Sequence, residues 1–261
     1  MSTLTLAVRD SSTMVRRQVK RLLRYPAMTV QLVVTPVVLL LVFVYVLGGA
    51  LGDGLGGGLG GGRDAYVDYI VPGILLMAAA TAATGTAVMV ATDMTEGIVA
   101  RFRTMRISRG SIFTGHVVGS VIQQLVGMAV LVGVALAIGF RPDATAVEWL
   151  AAAGLLTLFV VAVTWLAVAL GLRASTPESA SNAPMPLVLL PFLGSGFVPT
   201  DSMPTVLRWF ADYQPFTPVM ETVRGLLLGT PIGNNAAIAT AWCTGIGVLS
   251  YLWAKRTFDK V

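Results

Sequence analysis

The chain has 261 residues, 55% hydrophobic and 12% charged, with 18 Lys and Arg against 13 Asp and Glu for a formal net charge of +5. A soluble domain carries about 25% charged residues, so this composition and a mean hydropathy of +0.78 exclude an ordinary soluble class. One histidine and one cysteine (Cys243) leave no His/Cys metal cluster and no intrachain disulfide, so no metal or bound cofactor is predicted.

The first 27 residues are basic but lack the apolar core and small-residue cleavage site of a signal peptide. Within them, 10–26 reads as an amphipathic interfacial helix. Asp10, Ser11 or Ser12 can cap it. Val15, Val19, Leu22 and Leu23 line one face, and Arg16, Arg17, Lys20, Arg21 and Arg24 line the other. Such segregation suits a helix lying in the headgroup region, basic side toward lipid phosphates. Pro26 ends it.

Stretches of about 20 apolar residues read as membrane spans. The predicted spans are 28–50, 69–92, 116–140, 146–172, 182–198 and 235–254. The fifth is short and contains Pro184, Pro186 and Pro191, so a kink is expected there. The predicted fold is therefore an all-α integral membrane protein with six transmembrane helices.

Between the first two spans, the glycine run over 48–64 contains Gly52, Gly54 and Gly57 in a G-x-G-x-x-G pattern. That pattern binds dinucleotides only between a strand and a helix. Here a membrane span precedes it, and none of Lys20, Lys255 and Lys260 follows a glycine. The run reads as a flexible linker on the outer side.

Lys and Arg in short loops set orientation. With both termini cytoplasmic, only Arg63, Arg141, Arg208 and Arg224 fall on the outer side, and every other basic residue falls inside. The positive charge thus needs no nucleic acid to explain it. The loop 93–115 becomes cytoplasmic. Ile98, Phe102 and Met105 recur at i, i+4 and i+7 as one apolar face, with Arg103 and Arg106 off that face. A short helix of this kind can dock into a groove of a cytoplasmic protein; the alternative is that its arginines only enforce topology and meet anionic lipid.

The segment 199–229 is too polar to span and too apolar for a free loop. Two short helices are predicted, Thr205–Asp212 and Val219–Leu228, the second ended by Gly229. Trp209, Phe210, Tyr213 and Phe216 suit a membrane interface. The pair is expected to dip into the outer leaflet as a re-entrant hairpin. Phe216, Glu221 and Arg224 then form either an external gate or part of a plug.

Chemistry of its own is missing from the chain. No serine or cysteine nucleophile has a base in an identifiable motif, and the spans hold almost no ionisable groups of the kind that ion-coupled carriers need. Energy for any transport must come from elsewhere, and the arginine loop is where it would enter.

Three places carry a family resemblance: Glu96-Gly97, Arg101 and Ile107-Ser108-Arg109 in the cytoplasmic loop; "LLRYP" at 22–26; and "QPFTPVMETVRGLLLG" at 214–229. On these the chain resembles the permease subunit of type-2 ABC exporters, the daunorubicin-resistance (DrrB-like) group. It departs from the pattern at Arg106, where the family has proline. The resemblance implies two permease chains, as a homodimer, over two copies of an ATP-binding subunit that holds ATP and Mg. It makes 93–109 a coupling helix. Arg101, Arg103, Arg106 and Arg109 would meet carboxylates of the ATPase, Ile98, Phe102 and Met105 would be buried against it, and Glu96, Gly97 and Ser108 would shape the contact. It also implies a substrate path at the dimer interface. The expected residues are Met77, Thr81, Thr84 and Met89 of the second span and Met185, Leu189 and Phe192 of the fifth. The alternative is that these pack helices and that the threonines bond back within their own helix. The expected cargo is an amphipathic drug-like or lipid-like compound leaving the cell through the plasma membrane. A polymer exporter, or an assembly or sensor protein without transport, are the other readings.

Overall fold

The computed structural model describes residues 26–48, 62–96 and 109–260. All regular structure among them is helical. Helix α1, Pro26–Leu41, continues into a π-helical turn, Val42–Leu47. The long helices α2 (Gly62–Thr95), α3 (Arg109–Ile138) and α4 (Ala146–Arg173) follow. Then come the short helices α5 (Pro177–Asn182), α6 (Met185–Leu189), α7 (Thr205–Tyr213) and α8 (Phe216–Leu228), and the long α9 (Asn235–Lys260). Residues 10–25 of the expected interfacial helix, 49–61 of the glycine run and the loop residues 97–108 lie outside the described residues; Pro26 opens α1, and 62–64, expected in the linker, open α2.

Among the described residues, four segments are long and apolar enough to cross a membrane: Asp64–Thr95, Val117–Ile138, Ala146–Arg173 and Asn235–Phe258. At about 1.5 Å per residue a 28-residue helix runs roughly 42 Å, more than the hydrocarbon thickness of about 30 Å. They correspond to the second, third, fourth and sixth predicted spans. Helix α1 with its π-helical turn covers most of the first. Local sequence sets their ends. Thr145 and Glu148 close a capping box on α4, with the Glu148 carboxylate 2.7 Å from the Thr145 N–H. Arg173 sits in the last turn of α4, where a cation complements the helix dipole.

The predicted fifth span, where a kink is expected, is broken outright: 182–198 is not one helix. Helix α5 ends at Asn182, α6 has five residues, and the chain turns through 190–197. Pro184, Pro186 and Pro191 supply no N–H and crowd the preceding turn. The surviving donors bond locally, Phe192 N–H to Leu189 O at 3.0 Å and Leu193 N–H to Leu190 O at 3.1 Å. The next two helices come close to expectation. Helix α8 starts three residues before the predicted Val219, because Pro218 falls in the first turn, where no backbone donor is needed. Gly229 ends it with φ +70.

The core is built on α2 and α4. The apolar stretches of these helices are 67% and 61% buried, against 22% for α3 and 17% for α9. The outer helices instead present apolar side chains such as Val126 and Val130 of α3 and Val248 and Leu249 of α9. In a bilayer those surfaces meet acyl chains. Close approach of the two inner helices depends on Gly171, where a Cβ would come within 2.5 Å of the Ala87 carbonyl oxygen and 3.1 Å of the Val90 side chain. At Gly154 of α4 a Cβ would meet nothing within 4 Å. Gly171→Ala is therefore expected to destabilise by about 1–3 kcal/mol through overpacking. Gly154→Ala is expected to be neutral or to stabilise by up to about 1 kcal/mol from helix propensity. Unfolding midpoints of the two variants in one detergent check the contrast, and equal shifts would contradict it.

Candidate functional site

At the end of the bundle where α2 begins and α8 packs, a cluster of polar groups ties three segments together. Tyr69 and Gly73 are one turn apart on α2. Gly73 carries no side chain, and the 190–197 turn crosses there; a Cβ at 73 would collide with the Gly196 carbonyl. A Cβ at Gly194 would likewise collide with the Gln214 amide, and one at Gly196 would lie 2.7 Å from Pro191 O. Gly73 and Gly196 let backbone approach backbone, and Gly194 leaves room for the Gln214 and Thr217 side chains.

Into this crossing reaches Arg224 of α8, which is 5% exposed. Its Nη1 donates to Glu221 Oε1 at 2.6 Å. Its Nη2 donates to Ser195 O at 2.8 Å and Tyr69 O at 3.1 Å. The guanidinium also lies 3.9 Å from the centre of the Tyr69 ring, a cation–π distance. The Tyr69 hydroxyl donates to the same Ser195 carbonyl at 2.8 Å. Gln214 completes the stitching. Its Nε2 donates to Thr217 Oγ1 at 2.9 Å and Leu190 O at 3.3 Å, and its Oε1 accepts from Phe216 N–H at 3.1 Å. The Phe216 ring is buried and meets Phe159 of α4 edge-on, 5.0 Å between centroids. Of the expected gate residues, Phe216 and Arg224 are thus enclosed by protein and Glu221 is half-buried. Chemically the cluster is a tie: one charge pair and carbonyls engaged by donors.

A second polar feature runs across the middle of the bundle. Ser120 and Gln124 stand one turn apart on α3. Thr86 of α2 reaches Ser120 Oγ at 3.3 Å, and Gln124 Nε2 donates to Thr164 Oγ1 of α4 at 3.1 Å. All four are buried. Interhelical hydrogen bonds of this type hold membrane helices together.

The expected path residues divide. Met77 is buried in the main core, and Thr81 bonds back to its own helix at Met77 O, 2.9 Å. Thr84 and Met89 are half-buried. Met185 and Leu189 of α6 and Phe192 of the following turn are instead exposed. The Phe192 ring stacks on Phe197 at 4.4 Å, and Phe197 meets Phe43 of the π-helical turn at 4.8 Å.

At the opposite end of the bundle, Glu96 is exposed where α2 closes, and α3 restarts at Arg109. Arg173, Lys255 and Arg256 are also exposed. They lie at this same end, because Val90, Leu172, Ala254 and Phe258 form one small core cluster there. Of the expected coupling residues, Gly97, Ile98, Arg101, Phe102, Arg103, Met105, Arg106 and Ser108 lie outside the described residues, as do Arg16, Arg17, Lys20, Arg21 and Arg24. The described helix ends place both mouths of the 97–108 loop at this basic end. Among the described residues there is no group of three or more His, Cys, Asp and Glu placed to hold a metal ion.

Sequence reasoning did not single out Tyr69, Gly73, Gln214 and Thr217, or the Ser120–Gln124 row. The available signals were the Gly194-x-Gly196 spacing after three prolines and two polar residues one turn apart in an otherwise apolar span.

The sequence profile of the family described as ABC-2 type transporter matches residues 10–228. A relative from Streptomyces coeruleorubidus, named daunorubicin resistance ABC transporter permease protein DrrB1, is 30% identical over 169 residues, covering 64% of this chain and 59% of that protein. Another from Mycobacterium tuberculosis, named probable doxorubicin resistance ABC transporter permease protein DrrC, is 25% identical over 180 residues, covering 69% of this chain and 65% of that protein. The matched stretch thus spans roughly three fifths of each curated relative's length.

Proposed function

This chain belongs to the ABC-2 type transporter family, and from that membership we propose that it is the membrane-spanning permease of an ATP-driven exporter. In this reading a separate ATP-binding subunit binds ATP and Mg and hydrolyses the nucleotide. Two copies of that subunit sit beneath a homodimer of this chain in the plasma membrane, with both termini cytoplasmic. The cargo is an amphipathic, drug-like compound. The relatives named for daunorubicin and doxorubicin resistance support that class.

One observation carries the reading most directly. The arginine-rich connection between α2 and α3, 97–108, opens at an end of the bundle already basic from Arg173, Lys255 and Arg256. A soluble ATPase with an acidic cleft would dock there. ATP-driven closure of the ATPases would press on α2 and α3 together, and these lie against one another and against α4. That motion biases a two-state bundle between inward- and outward-open forms. The polar tie around Arg224, at the far end, holds the 190–197 turn and α8 to α2, so a movement of α2 is transmitted to that face.

The exposed Met185, Leu189 and Phe192 are the part of the expected path open to cargo or to a second permease chain. Phe192→Ala is expected to lower transport of aromatic cargo several-fold, since a ring stack is worth about 0.5–1.5 kcal/mol, with ATP hydrolysis by the complex retained. Vesicle transport assays with aromatic and aliphatic cargo check this; equal losses for both would remove the stack from the path.

Gentle purification of the tagged protein from its native membrane, with mass spectrometry of what accompanies it, tests the reading as a whole. The expected result is an ATP-binding subunit near one per permease. A preparation without any ATPase, repeated after crosslinking, would favour an assembly or sensor role.

A further inference from the structure

Gln124 is 4% exposed and its hydrogen bonding is only half complete. The Nε2 is engaged by Thr164, but the buried Oε1 has no partner. Gln124 lines a cavity of ≈ 10 Å³ where α1, α2 and α3 meet, about the room of one water-sized group. The remaining wall is Pro36, Ala78, Ala79, Ala82, Gly127 and Met128. None of these side chains can donate a hydrogen bond. Pro36 has no N–H, and the other backbone N–H groups belong to continuous helices. An amide oxygen in a hydrocarbon-embedded bundle is costly to leave without a donor, and the donor here must come from outside the described protein. The cavity is not sealed, because Ala78 and Gly127 on its wall are only half-buried.

We propose that the Gln124 cavity is a recognition site for a single hydrogen-bond donor, a hydroxyl, at the head of an otherwise apolar molecule. The proposal deepens the exporter reading and rests on it for its meaning: it gives the cargo a polar handle and a place to put it. The geometry sets the selectivity. A site that only accepts discriminates against the same molecule with its donor capped, because capping leaves Oε1 unpaired and adds a methyl to a cavity without room for it. Thr164 Oγ1 accepts from Gln124 Nε2 at 3.1 Å, which leaves Oε1 as the unengaged end of the amide.

The test uses the full chain in lipid nanodiscs and decan-1-ol carrying a mid-chain diazirine. Photolabelled peptides are mapped by mass spectrometry, in competition with unlabelled decan-1-ol or decyl methyl ether. The expected result is labelling on α1, α2 and α3 around the cavity, with the alcohol competing about fivefold better than the ether, the effect of one net hydrogen bond. Gln124→Leu should abolish that preference. Equal competition by alcohol and ether in the wild type overturns the proposal on its own, whatever the variant does, and leaves the cavity to a water molecule. A preference that survives Gln124→Leu overturns it as well. If the labelling behaves as expected but vesicles holding the permease, its ATP-binding partner and ATP move no alcohol probe, the site stands and the exporter reading falls.

Discussion

Glu221→Ala is expected to destabilise the protein by about 2–3 kcal/mol, and more than Arg224→Met does. Removing one partner of a fully buried pair costs about 3–5 kcal/mol because an uncompensated charge remains in low dielectric. The Glu221 side chain is 31% exposed, and Arg224 keeps the Ser195 and Tyr69 carbonyls and the Tyr69 ring, so the lower end of that range applies or slightly less. In Arg224→Met the charge that is left sits on the more exposed partner, which can draw water, and the methionine fills the space. The double variant Glu221→Ala with Arg224→Met should then be milder than Glu221→Ala alone. Unfolding in a graded denaturing detergent gives all four corners of the cycle. A double variant worse than either single one would mean that Arg224 is stabilised by its carbonyl and ring contacts, with the carboxylate incidental.

Arg101→Glu is the second large effect, and it acts on work rather than on folding. The residue lies in the loop between α2 and α3, at the end proposed to meet the ATPase. Transport is expected to fall by roughly tenfold, with the permease still inserted and the partner ATPase still able to hydrolyse ATP. An exposed ion pair is worth only about 0.2–1 kcal/mol. A reversal both loses the attraction and adds a repulsion of similar size, which together approach the about 1.4 kcal/mol of a tenfold change. Transport per ATP hydrolysed, compared between wild type and variant in vesicles, checks it. Unchanged coupling would remove Arg101 from the docking surface and return the loop's arginines to lipid headgroups.

Much of the architecture was legible in the sequence. A run of about 20 apolar residues is long enough for a bilayer, and only a helix satisfies its backbone there. That argument alone located α2, α3, α4 and α9, and the loop, N-terminal and 214–229 motifs pointed to the family. The broken segment at 182–198 was half legible. Its prolines announced a kink, but the chain turns altogether, with Gly196 letting it cross α2 at Gly73 and Gly194 making room for Gln214 and Thr217. A proline pattern says where a helix fails, not what the freed backbone finds instead.

The candidate sites were less legible for a similar reason. Arg224 was visible as a charge in an apolar segment, yet its partners lie 155 and 29 residues away, at Tyr69 and Ser195. Gln124 and Thr164 are separated by 40 residues, and each alone reads as a polar residue tolerated in a span.

Length, composition and apolar runs were sufficient for the membrane class and for four of the six expected spans. Which helices are inside was decided only by tertiary packing. Helices α3 and α4 have nearly the same mean hydropathy, 2.3 and 2.5, yet one is 22% buried and the other 61%. In water a half-exposed helix must show a polar face. In a bilayer, lipid tails are as apolar as the protein core, so sequence polarity carries no mark of which face packs, and small residues, proline breaks and a few distant hydrogen bonds settle the arrangement.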